Sequence, residues 1–262
     1  MRLLELLPNG NFRLTNRFLE DLPSYAILSH IQGEESEEVT FEDMVAGSGR
    51  GKAGYKKIEF CGKQAARDGL RYFWIDSCCI DKSRIEELAE AISSKFRWYQ
   101  NAAKCYVYLS DVSTAKQKAS DQIPEFTWEP AFRTSSWFTR SWTLQELLAP
   151  VSVEFFSLEG KRLGDKKSLG QQIHEITGIA VQALQGTPLS HFSVAERMSW
   201  AQNRTSLREE DMAYSLLGIF DVHMPFIYGE GRQVRSDDFK RRSIKRQRTM
   251  ISTSRQQRQL YV

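Results

Sequence analysis

The sequence predicts an α/β fold in which a mostly parallel β-sheet is flanked by helices and is followed by a C-terminal helical annex. Strand-like apolar runs alternate with helical patterns through the first part of the chain, and only helical patterns follow. The 262 residues, 41% of them hydrophobic, are enough to bury a core. We therefore expect an α/β core over about residues 24–157 and an annex over about residues 165–231.

The first half of the core contains two strands and the helix between them. SYAILSH, residues 24–30, has the composition of a strand. The helix over residues 55–68 ends at Gly69, because glycine commonly terminates helices. LRYFWID, residues 70–76, is a continuous apolar run, which is typical of a strand covered on both faces.

The next helix has the clearest pattern in the chain. Ser83 and Glu86 form a capping box, and apolar residues then keep helical spacing to Ala103. KCYVYLS, residues 104–110, is the third strand, and a polar insert over residues 111–129 follows it. The apolar stripe of the helix consists of Ile85, Leu88, Ile92, Phe96, Tyr99 and Ala103.

The last part of the body changes from strands to helices. VSVEFF, residues 151–156, is predicted as a further strand, and residues 168–179 as a helix. Two more capping boxes then open helices that run to about residues 203 and 220. These boxes are Ser193 with Glu196 and Ser206 with Glu209.

The net charge of +3 is unevenly divided along the chain. Residues 232–262 carry ten Lys or Arg and two Asp or Glu, a net of +8, whereas residues 1–231 carry 26 basic and 31 acidic residues, a net of −5. The tail is polar and has almost no apolar periodicity, so we predict that it is disordered. It can attract nucleic acid or anionic membranes, but nothing in it encodes specificity, so no specific nucleic-acid partner is predicted.

Several site classes lack their sequence signatures. No run of 18 apolar residues and no signal peptide is present, which predicts a cytoplasmic protein without a membrane span. The sequence contains no P-loop and no GxSxG. The cysteines form no CxxC and the histidines lack ligand spacing, which favours a reduced protein without a metal. The four cysteines are Cys61, Cys78, Cys79 and Cys105.

Ligands of open parallel sheets bind beyond the carboxyl ends of the strands, where this sequence is polar. Each polar residue there also has an ordinary explanation as a turn former, a cap or a packed side chain. Together with a nearby helix that carries Trp142 and Glu146, they predict a cleft. The residues that leave the first two strands are Ser29, His30, Asp76, Ser77, Cys78 and Cys79.

The helix in SSWFTRSWTLQELLAP, residues 135–150, presents two different faces. At about 100° per residue, three leucines share one face, and Trp142 and Glu146 lie on the opposite one. Glu146 is either a functional carboxylate or an ordinary solvated acid, and this segment alone favours the second interpretation. The leucines are Leu144, Leu147 and Leu148.

Five runs of the chain resemble the fungal heterokaryon-incompatibility (HET) domain, and they occur in the order of that family. The resemblance covers nearly all of residues 1–231. It implies a fungal protein of non-self recognition between fused hyphae, in which such proteins trigger regulated cell death. The runs are YAILSH (25–30), YFWIDSCCIDK (72–82), ELAEAISSKFRWYQNAAKCYVYLSDV (87–112), SSWFTRSWTLQELLAP (135–150) and EDMAYSLLGIFDVHMPFIYGEG (210–231).

The HET domain is in turn similar to TIR domains, in which a strand, a capped helix, a strand and a Ser-Trp-x-Leu-Glu helix follow one another. Trp142, Leu144 and Glu146 match that last helix. The resemblance implies a TIR/flavodoxin-like core. Many TIR domains cleave NAD with the glutamate of this helix, so the resemblance also implies that Glu146 is catalytic and that NAD is a substrate, with no permanently bound cofactor.

The chemistry of NAD cleavage suits a single carboxylate. Nicotinamide departs as a neutral molecule, so no general acid is needed, and Glu146 would hold the ribose and stabilise an oxocarbenium-like charge. Trp142 or Trp137 would stack on a flat ring, and Arg140 or His30 would hold the pyrophosphate.

Two other functions remain open at this point. The chain is alternatively a non-catalytic module that signals by self-assembly, with a homo-oligomer as its active form and a sensor protein as its partner. A metal-dependent phosphotransfer site at His30, Asp76 and Asp81 is disfavoured, because no phosphate cradle accompanies these residues.

The chain departs from the family pattern in two places. Ile31, Gln32 and Gly33 follow His30, where the family usually has threonine, tryptophan and glycine. The basic tail replaces a further amphipathic helix after Gly231. These departures suggest a truncated or altered-frame end and an inactive family member as a further alternative.

Overall fold

The structure, a computed structural model, describes residues 1–19, 21–115, 128–229, 231 and 234–246. Its centre is one seven-stranded sheet. The strands are β1 (Leu4–Leu6), β2 (Phe12–Leu14), β3 (Tyr25–His30), β4 (Tyr72–Trp74), β5 (Lys104–Tyr108), β6 (Val153–Phe156) and β7 (Arg162–Asp165). They lie in the order β2-β1-β4-β3-β5-β6-β7.

Short and long helices surround this sheet. The helices of the core are α1 (Phe41–Ala46), α2 (Tyr55–Arg67), α3 (Asp76–Cys79), α4 (Ile85–Asn101), α5 (Glu129–Arg133) and α6 (Trp142–Leu148). The annex contains α7 (Gly170–Thr177), α8 (Val181–Leu184), α9 (Val194–Ser199), α10 (Asp211–Tyr214) and α11 (Leu217–Phe220). Residues 234–246 form a further helix, α12.

The sheet is mixed, with a parallel centre and antiparallel edges. β4, β3, β5 and β6 pair in parallel, whereas β1 pairs antiparallel with β2 and β4, and β7 pairs antiparallel with β6. The α/β class is confirmed, but the sheet is less parallel than the sequence predicted. The sequence patterns gave no indication of the edge strands, because three or four residues are too few to display a strand period.

The order of the parallel strands places the helices on the two faces. In chain order these parallel strands are β3, β4, β5 and β6. In the sheet they lie in the order β4-β3-β5-β6, so the second strand is on one side of the first, and the third and fourth are on its other side. Because parallel crossovers are right-handed, α2 covers one face, and α4 and α6 cover the other. α4 and α6 contact each other there. The direction in which successive strands are added to the sheet therefore reverses, and the point of reversal in the sheet lies between the neighbouring strands β3 and β5.

The bounds of α4 agree with the predicted helix, but its start and its buried face differ. α4 begins at Ile85 without a side-chain cap, because Ser83 donates its hydroxyl to Asp81 at 2.5 Å, so the predicted capping box with Glu86 is wrong. The predicted stripe is also incomplete, since Ile85 is 80% exposed. The buried residues of this helix are Glu87, Ala91, Lys95 and Tyr99.

Only one of the two capping boxes predicted in the annex forms. Glu196 donates its backbone N–H to the Ser193 hydroxyl at 3.2 Å, and Ser193 donates its own to the Glu196 carboxylate at 2.7 Å. Ser206 instead donates its hydroxyl to the Arg208 carbonyl at 2.6 Å. The predicted helix that follows is divided into the two short helices α10 and α11.

Part of the predicted tail is ordered. Residues 234–246 form α12, which differs from the disorder expected for residues 232–262. The physical reason is one apolar anchor, since Phe239 is buried and packs edge-on against Phe220 with the ring centroids 5.1 Å apart. Residues 247–262, and residues 116–127 of the predicted polar insert, lie outside the described residues.

No helix within the described ranges has the length and apolar character that a membrane span requires.

The annex is locked onto the core by a close contact between α11 and α4. A Cβ added at Gly218 would lie 2.2 Å from the Cβ and Cγ of Phe96, which are too near the α4 backbone to move aside. Gly218→Ala should therefore destabilise the protein by about 2 kcal/mol or more, because overpacking forces backbone shifts. The free energy of unfolding in urea measures this effect.

Gly51→Ala is the matched control. A Cβ at Gly51 meets no heavy atom within 4 Å, and the backbone there is not left-handed. We expect a change within about 0.5 kcal/mol. Equal unfolding free energies for the two variants would contradict the described contact between α11 and α4.

Candidate active site

A cleft of about 740 Å³ opens beyond the carboxyl ends of β3 and β4. We call it the Glu146 cleft. Its walls come from the segment after β3, from α3, α4 and the start of α6, and from residues 205–211 of the annex. Its volume is in the range of sites that take small molecules. The residues that leave β3 and β4 thus meet the Glu146 helix, as the sequence predicted for His30 and Asp76.

Glu146 lies at the floor of this cleft and is only 3% exposed. Its Oε1 atom is 2.8 Å from the Lys95 ammonium, and its Oε2 accepts the Ser29 hydroxyl at 2.5 Å. Every residue from 143 to 148 is buried, including Gln145 and Glu146 on the face opposite the leucines. Glu146 is therefore not an ordinary solvated acid.

Ser29 fixes the orientation of Glu146 from β3. Trp137 donates its indole N–H to the Ser29 hydroxyl at 2.9 Å. Since an indole can only donate, the hydroxyl proton of Ser29 is directed at Glu146. Ser29 is fully buried and does not line the cleft, so it positions the carboxylate and makes no surface for a ligand.

Trp137 has no access to the cleft. It is completely buried, and its ring packs edge-on against Phe155 and Phe138, with centroids 5.7 and 5.1 Å away. The stacking role that the sequence suggested for Trp137 does not fit this position. Its function in the site is to hold Ser29.

Lys95 links two acids of the site. Its ammonium lies 2.8 Å from Glu146 and 3.4 Å from Asp76, and 4.9 Å above the ring of Trp142. Burial disfavours its charge, but the two carboxylates outweigh burial and raise the pKa of Lys95. Sequence reasoning missed this residue. The available signal was a lysine three residues after Ile92 in an apolar stripe.

Asp76 is paired through only one of its two carboxylate oxygens. Its Oδ2 faces Lys95, whereas its Oδ1 is buried and has no hydrogen-bond partner within the described ranges. Burial raises the pKa of Asp76, but Lys95, together with His30, more than reverses this effect and the pKa is lowered. The carboxylate is therefore ionised at neutral pH.

His30 is half-buried in the cleft wall and lacks a partner for Nε2 among the described residues. Burial, followed by the nearby charge of Lys57, lowers the pKa of His30 to about 4. The imidazole is therefore neutral at pH 7. A neutral ring does not supply the positive charge that the expected contact with a pyrophosphate requires.

The annex closes the cleft around Trp142. The indole N–H of Trp142 donates to Asp211 Oδ2 at 3.1 Å, and the Tyr228 hydroxyl donates to Asp211 Oδ1 at 3.0 Å. Burial raises the pKa of Asp211. Neither Asp211 nor Tyr228 was a sequence candidate, because no periodic pattern marks either position.

Three basic residues line the cleft and are available for an anion. Arg140 and Lys82 make no side-chain hydrogen bond or ion pair within the part of the chain that the structure describes. Arg208 lies over the Tyr228 ring, 4.4 Å from its centroid. Of these, the sequence had indicated only Arg140.

Cys79 belongs to the core. It is 2% exposed, does not line the cleft, and its sulfur accepts the Ile75 backbone N–H at 3.5 Å. The binding role predicted for Cys79 does not fit this position, because its side chain is packed in the core. The described residues contain no cluster of three or more His, Cys, Asp or Glu that could hold a metal ion.

A larger cavity of about 1360 Å³ lies between the core and the annex. Size alone would favour it as the active site. Its acids, however, are already paired with basic residues, as in the contacts of Glu154 with Lys104 and Arg162. We assign the candidate active site to the smaller cleft, because it lies beyond the carboxyl ends of β3 and β4, where ligands of parallel sheets bind, and holds the buried Glu146 carboxylate.

The buried pair of Lys95 and Glu146 should be strongly coupled in stability. Lys95→Met and Glu146→Gln should each destabilise the protein by about 3 kcal/mol, because each leaves one buried group without its partner. The double variant should be much less destabilised than the sum of the two. Urea unfolding of the four proteins gives the coupling energy, and additive effects would show that the pair does not interact.

His30 should titrate well below the ordinary range of a histidine side chain. Its folded-state pKa of about 4 lies below the unfolded value, so the unfolded chain binds more protons between these two values. Stability should therefore fall as the pH is lowered from about 6.5 towards 4. NMR titration gives the pKa directly, and urea unfolding at pH 7 and pH 5 gives the stability.

His30→Gln should weaken this pH dependence, and His191→Gln is its matched control because His191 is exposed. An imidazole resonance of His30 that titrates near 6.5 would contradict the described burial.

Comparisons with known proteins agree with this assignment of elements. The family model described as "Heterokaryon incompatibility protein (HET)" matches residues 25–146, a span that begins with β3 and ends at Glu146. The chain is 58% identical over 238 residues to "Vegetative incompatibility protein HET-E-1" of Podospora anserina. This alignment covers 89% of the chain but 17% of that relative. No solved structure matches the chain. The chain therefore belongs to the family of fungal heterokaryon-incompatibility (HET) domain proteins.

Proposed function

We propose that this chain is a heterokaryon-incompatibility effector that triggers regulated cell death in the cytoplasm, and that it acts by hydrolysing NAD at the bond between nicotinamide and ribose. Membership in the HET family and the similarity to HET-E-1 support the first part. One observation carries the second part: the Glu146 carboxylate is held by Lys95 and Ser29 at the floor of a 740 Å³ cleft.

The strand order supports a TIR/flavodoxin-like core. Flavodoxin-like sheets place their first four parallel strands in the order second, first, third and fourth, and bind ligands where the order reverses. Here that reversal lies between β3 and β5. Ser29, the residue that contacts Glu146, is on β3 beside this point.

The proposed reaction needs water and no resident cofactor. The C1′–N bond breaks, its electron pair goes to the pyridinium nitrogen, and nicotinamide leaves as a neutral molecule. The ribose carbon becomes oxocarbenium-like, and Glu146 stabilises this charge. Water then adds at C1′ and releases a proton, which gives ADP-ribose. Lys95 and Ser29 hold the carboxylate in place so that little reorganisation is needed during the reaction.

The remaining groups of the cleft match the other parts of NAD. Arg140, Arg208 and Lys82 supply positive charge for the pyrophosphate. The free Oδ1 of Asp76 is an acceptor for a ribose hydroxyl. Trp142, half-buried in the cleft wall, offers an aromatic surface for a flat ring.

A specific observation also favours a second candidate, a non-catalytic module that signals by self-assembly. Both oxygens of Glu146 are already bonded inside the protein, and the contacts join β3, α4 and α6. A glutamate with a purely structural role would make the same kind of contacts. In this candidate the active form is a homo-oligomer that a sensor protein releases. Because the chain covers 17% of HET-E-1, the trigger and partners of the whole protein are likewise proposals.

NAD consumption distinguishes the two candidates. We expect the purified protein at high concentration to release nicotinamide, and Glu146→Gln to lower this release by about 100-fold or more, because the charge that stabilises the transition state is lost. Glu154→Gln is the matched control, because Glu154 is also a buried and ion-paired glutamate but lies outside the Glu146 cleft. It should retain activity.

The folded state of each variant is checked by circular dichroism and thermal unfolding. Equal release by the native protein and a folded Glu146→Gln variant would overturn the catalytic role of Glu146. No release from a folded and assembled native protein would favour the assembly module or an inactive family member.

A further inference from the structure

We propose that the larger cavity binds a small organic anion with an apolar body, a second ligand site that is separate from the Glu146 cleft. We call it the core–annex cavity. It has a volume of about 1360 Å³ and lies between α4, β6 and the end of α6 on one side and α8, α9, α11 and α12 on the other.

Arg197 is the first of two buried cations in its wall. The residue is 8% exposed, and Nη1 donates to the Ile219 carbonyl at 2.9 Å. Its Nε is buried without a hydrogen-bond partner, and the guanidinium lies 4.5 Å from the centroid of the Phe220 ring. No carboxylate of the described residues forms an ion pair with it. Burial lowers the pKa of Arg197, which reflects this uncompensated charge.

Lys166 is the second buried cation. It is 6% exposed, and its ammonium donates to the Leu147 carbonyl at 3.3 Å and to the Pro150 carbonyl at 2.5 Å. These carbonyls lie at the C-terminal end of α6, where positive charge is favourable. Among the described residues no carboxylate pairs with it, and burial lowers the pKa of Lys166 to about 8.

The acids that line the cavity do not supply the missing negative charge. Glu154 pairs with Lys104 and Arg162, and Asp221 pairs with Arg246. Asp165 pairs with Arg162 as well. The wall therefore carries excess positive charge. Buried charges in proteins are normally paired, because hydrogen bonds to neutral carbonyls compensate only part of the desolvation penalty. A bound anion would offset the part of the penalty that remains.

The remaining lining defines the rest of the ligand. Apolar side chains of both the core and the annex face the cavity, which suits an apolar body. Ser243 of α12 is 3% exposed, and its hydroxyl has no partner within the described ranges, so it is free to donate to the anionic group. The chemical class is therefore one carboxylate, sulfonate or phosphate on an apolar skeleton. The apolar residues include Phe96, Leu148, Leu217, Met224 and Phe226.

Two dyes that differ in one charged group test this site in the full chain. The probes are 8-anilinonaphthalene-1-sulfonate and N-phenyl-1-naphthylamine, which has the same aromatic body without the sulfonate. We expect one sulfonate dye to bind per chain and to raise the melting temperature, since a ligand of the native state stabilises it. Arg197→Gln should lower the affinity for the sulfonate dye by roughly tenfold and should lower the affinity for the neutral dye much less.

Two further variants keep the test specific. Arg197→Lys retains the charge and should retain most of the affinity for the sulfonate dye. Arg208→Gln removes an arginine from the Glu146 cleft and should leave dye affinity unchanged. If Arg197→Gln does not fold, Lys166→Met takes its place with the same expected loss of affinity.

Three results would overturn the proposal. The first is a melting temperature that falls in the presence of the sulfonate dye, because the dye then binds a non-native state. The second is an undiminished affinity of the sulfonate dye for a folded Arg197→Gln or Lys166→Met variant. The third is a loss of affinity in Arg208→Gln, which would place the dye in the Glu146 cleft.

Discussion

The buried ion pair between Lys95 and Glu146 is the constraint on which the rest of the site depends. It joins the two helices that cover one face of the sheet, and Ser29 connects the same carboxylate to β3. A buried pair is stable only when its geometry is good and its other hydrogen bonds are satisfied. Trp137 meets that requirement from the core, because it holds the Ser29 hydroxyl in the orientation that donates to Glu146. Two hydrogen bonds, from Trp137 to Ser29 and from Ser29 to Glu146, therefore connect the aromatic core with the candidate catalytic carboxylate.

The same network explains why catalysis and scaffolding are difficult to separate in this fold. A carboxylate held by two partners is well oriented for stabilising a developing positive charge, which electrostatic preorganisation requires. It is also a structural tie between α4, α6 and β3. Arg204 connects the annex to the start of α6, because its guanidinium donates to the Arg140 carbonyl at 2.9 Å and to the Thr143 hydroxyl at 2.8 Å. A variant of Glu146 thus changes chemistry and stability together, and each must be measured.

The annex contributes to two cavities of different electrostatic character. Through Asp211 it holds Trp142 at the Glu146 cleft, where carboxylates and cations face one another. Through α9 and α11 it encloses the core–annex cavity, where Arg197 and Lys166 lack acidic partners among the described residues. The close approach of Gly218 to Phe96 sets the position of α11 beside the same cavity. The contact that docks the annex therefore also determines the shape of the proposed second site.

The sequence by itself determined the α/β class, the central strands and the helix that carries Glu146, because burial on one or both faces leaves a periodic pattern along the chain. It also indicated His30 and Asp76, since residues that leave parallel strands gather at one edge. Arg140 and Trp142 were indicated instead by the segment that carries Glu146 and by its resemblance to TIR domains. Only the tertiary structure added Lys95 and Asp211 to the site and removed Trp137 and Cys79 from the cleft. The tertiary structure also determined that the edge strands pair antiparallel and that residues 234–246 form the helix α12. The physical reason is that local periodicity encodes which face of an element is buried, whereas the side chains that meet there come from distant elements whose contacts form only on packing.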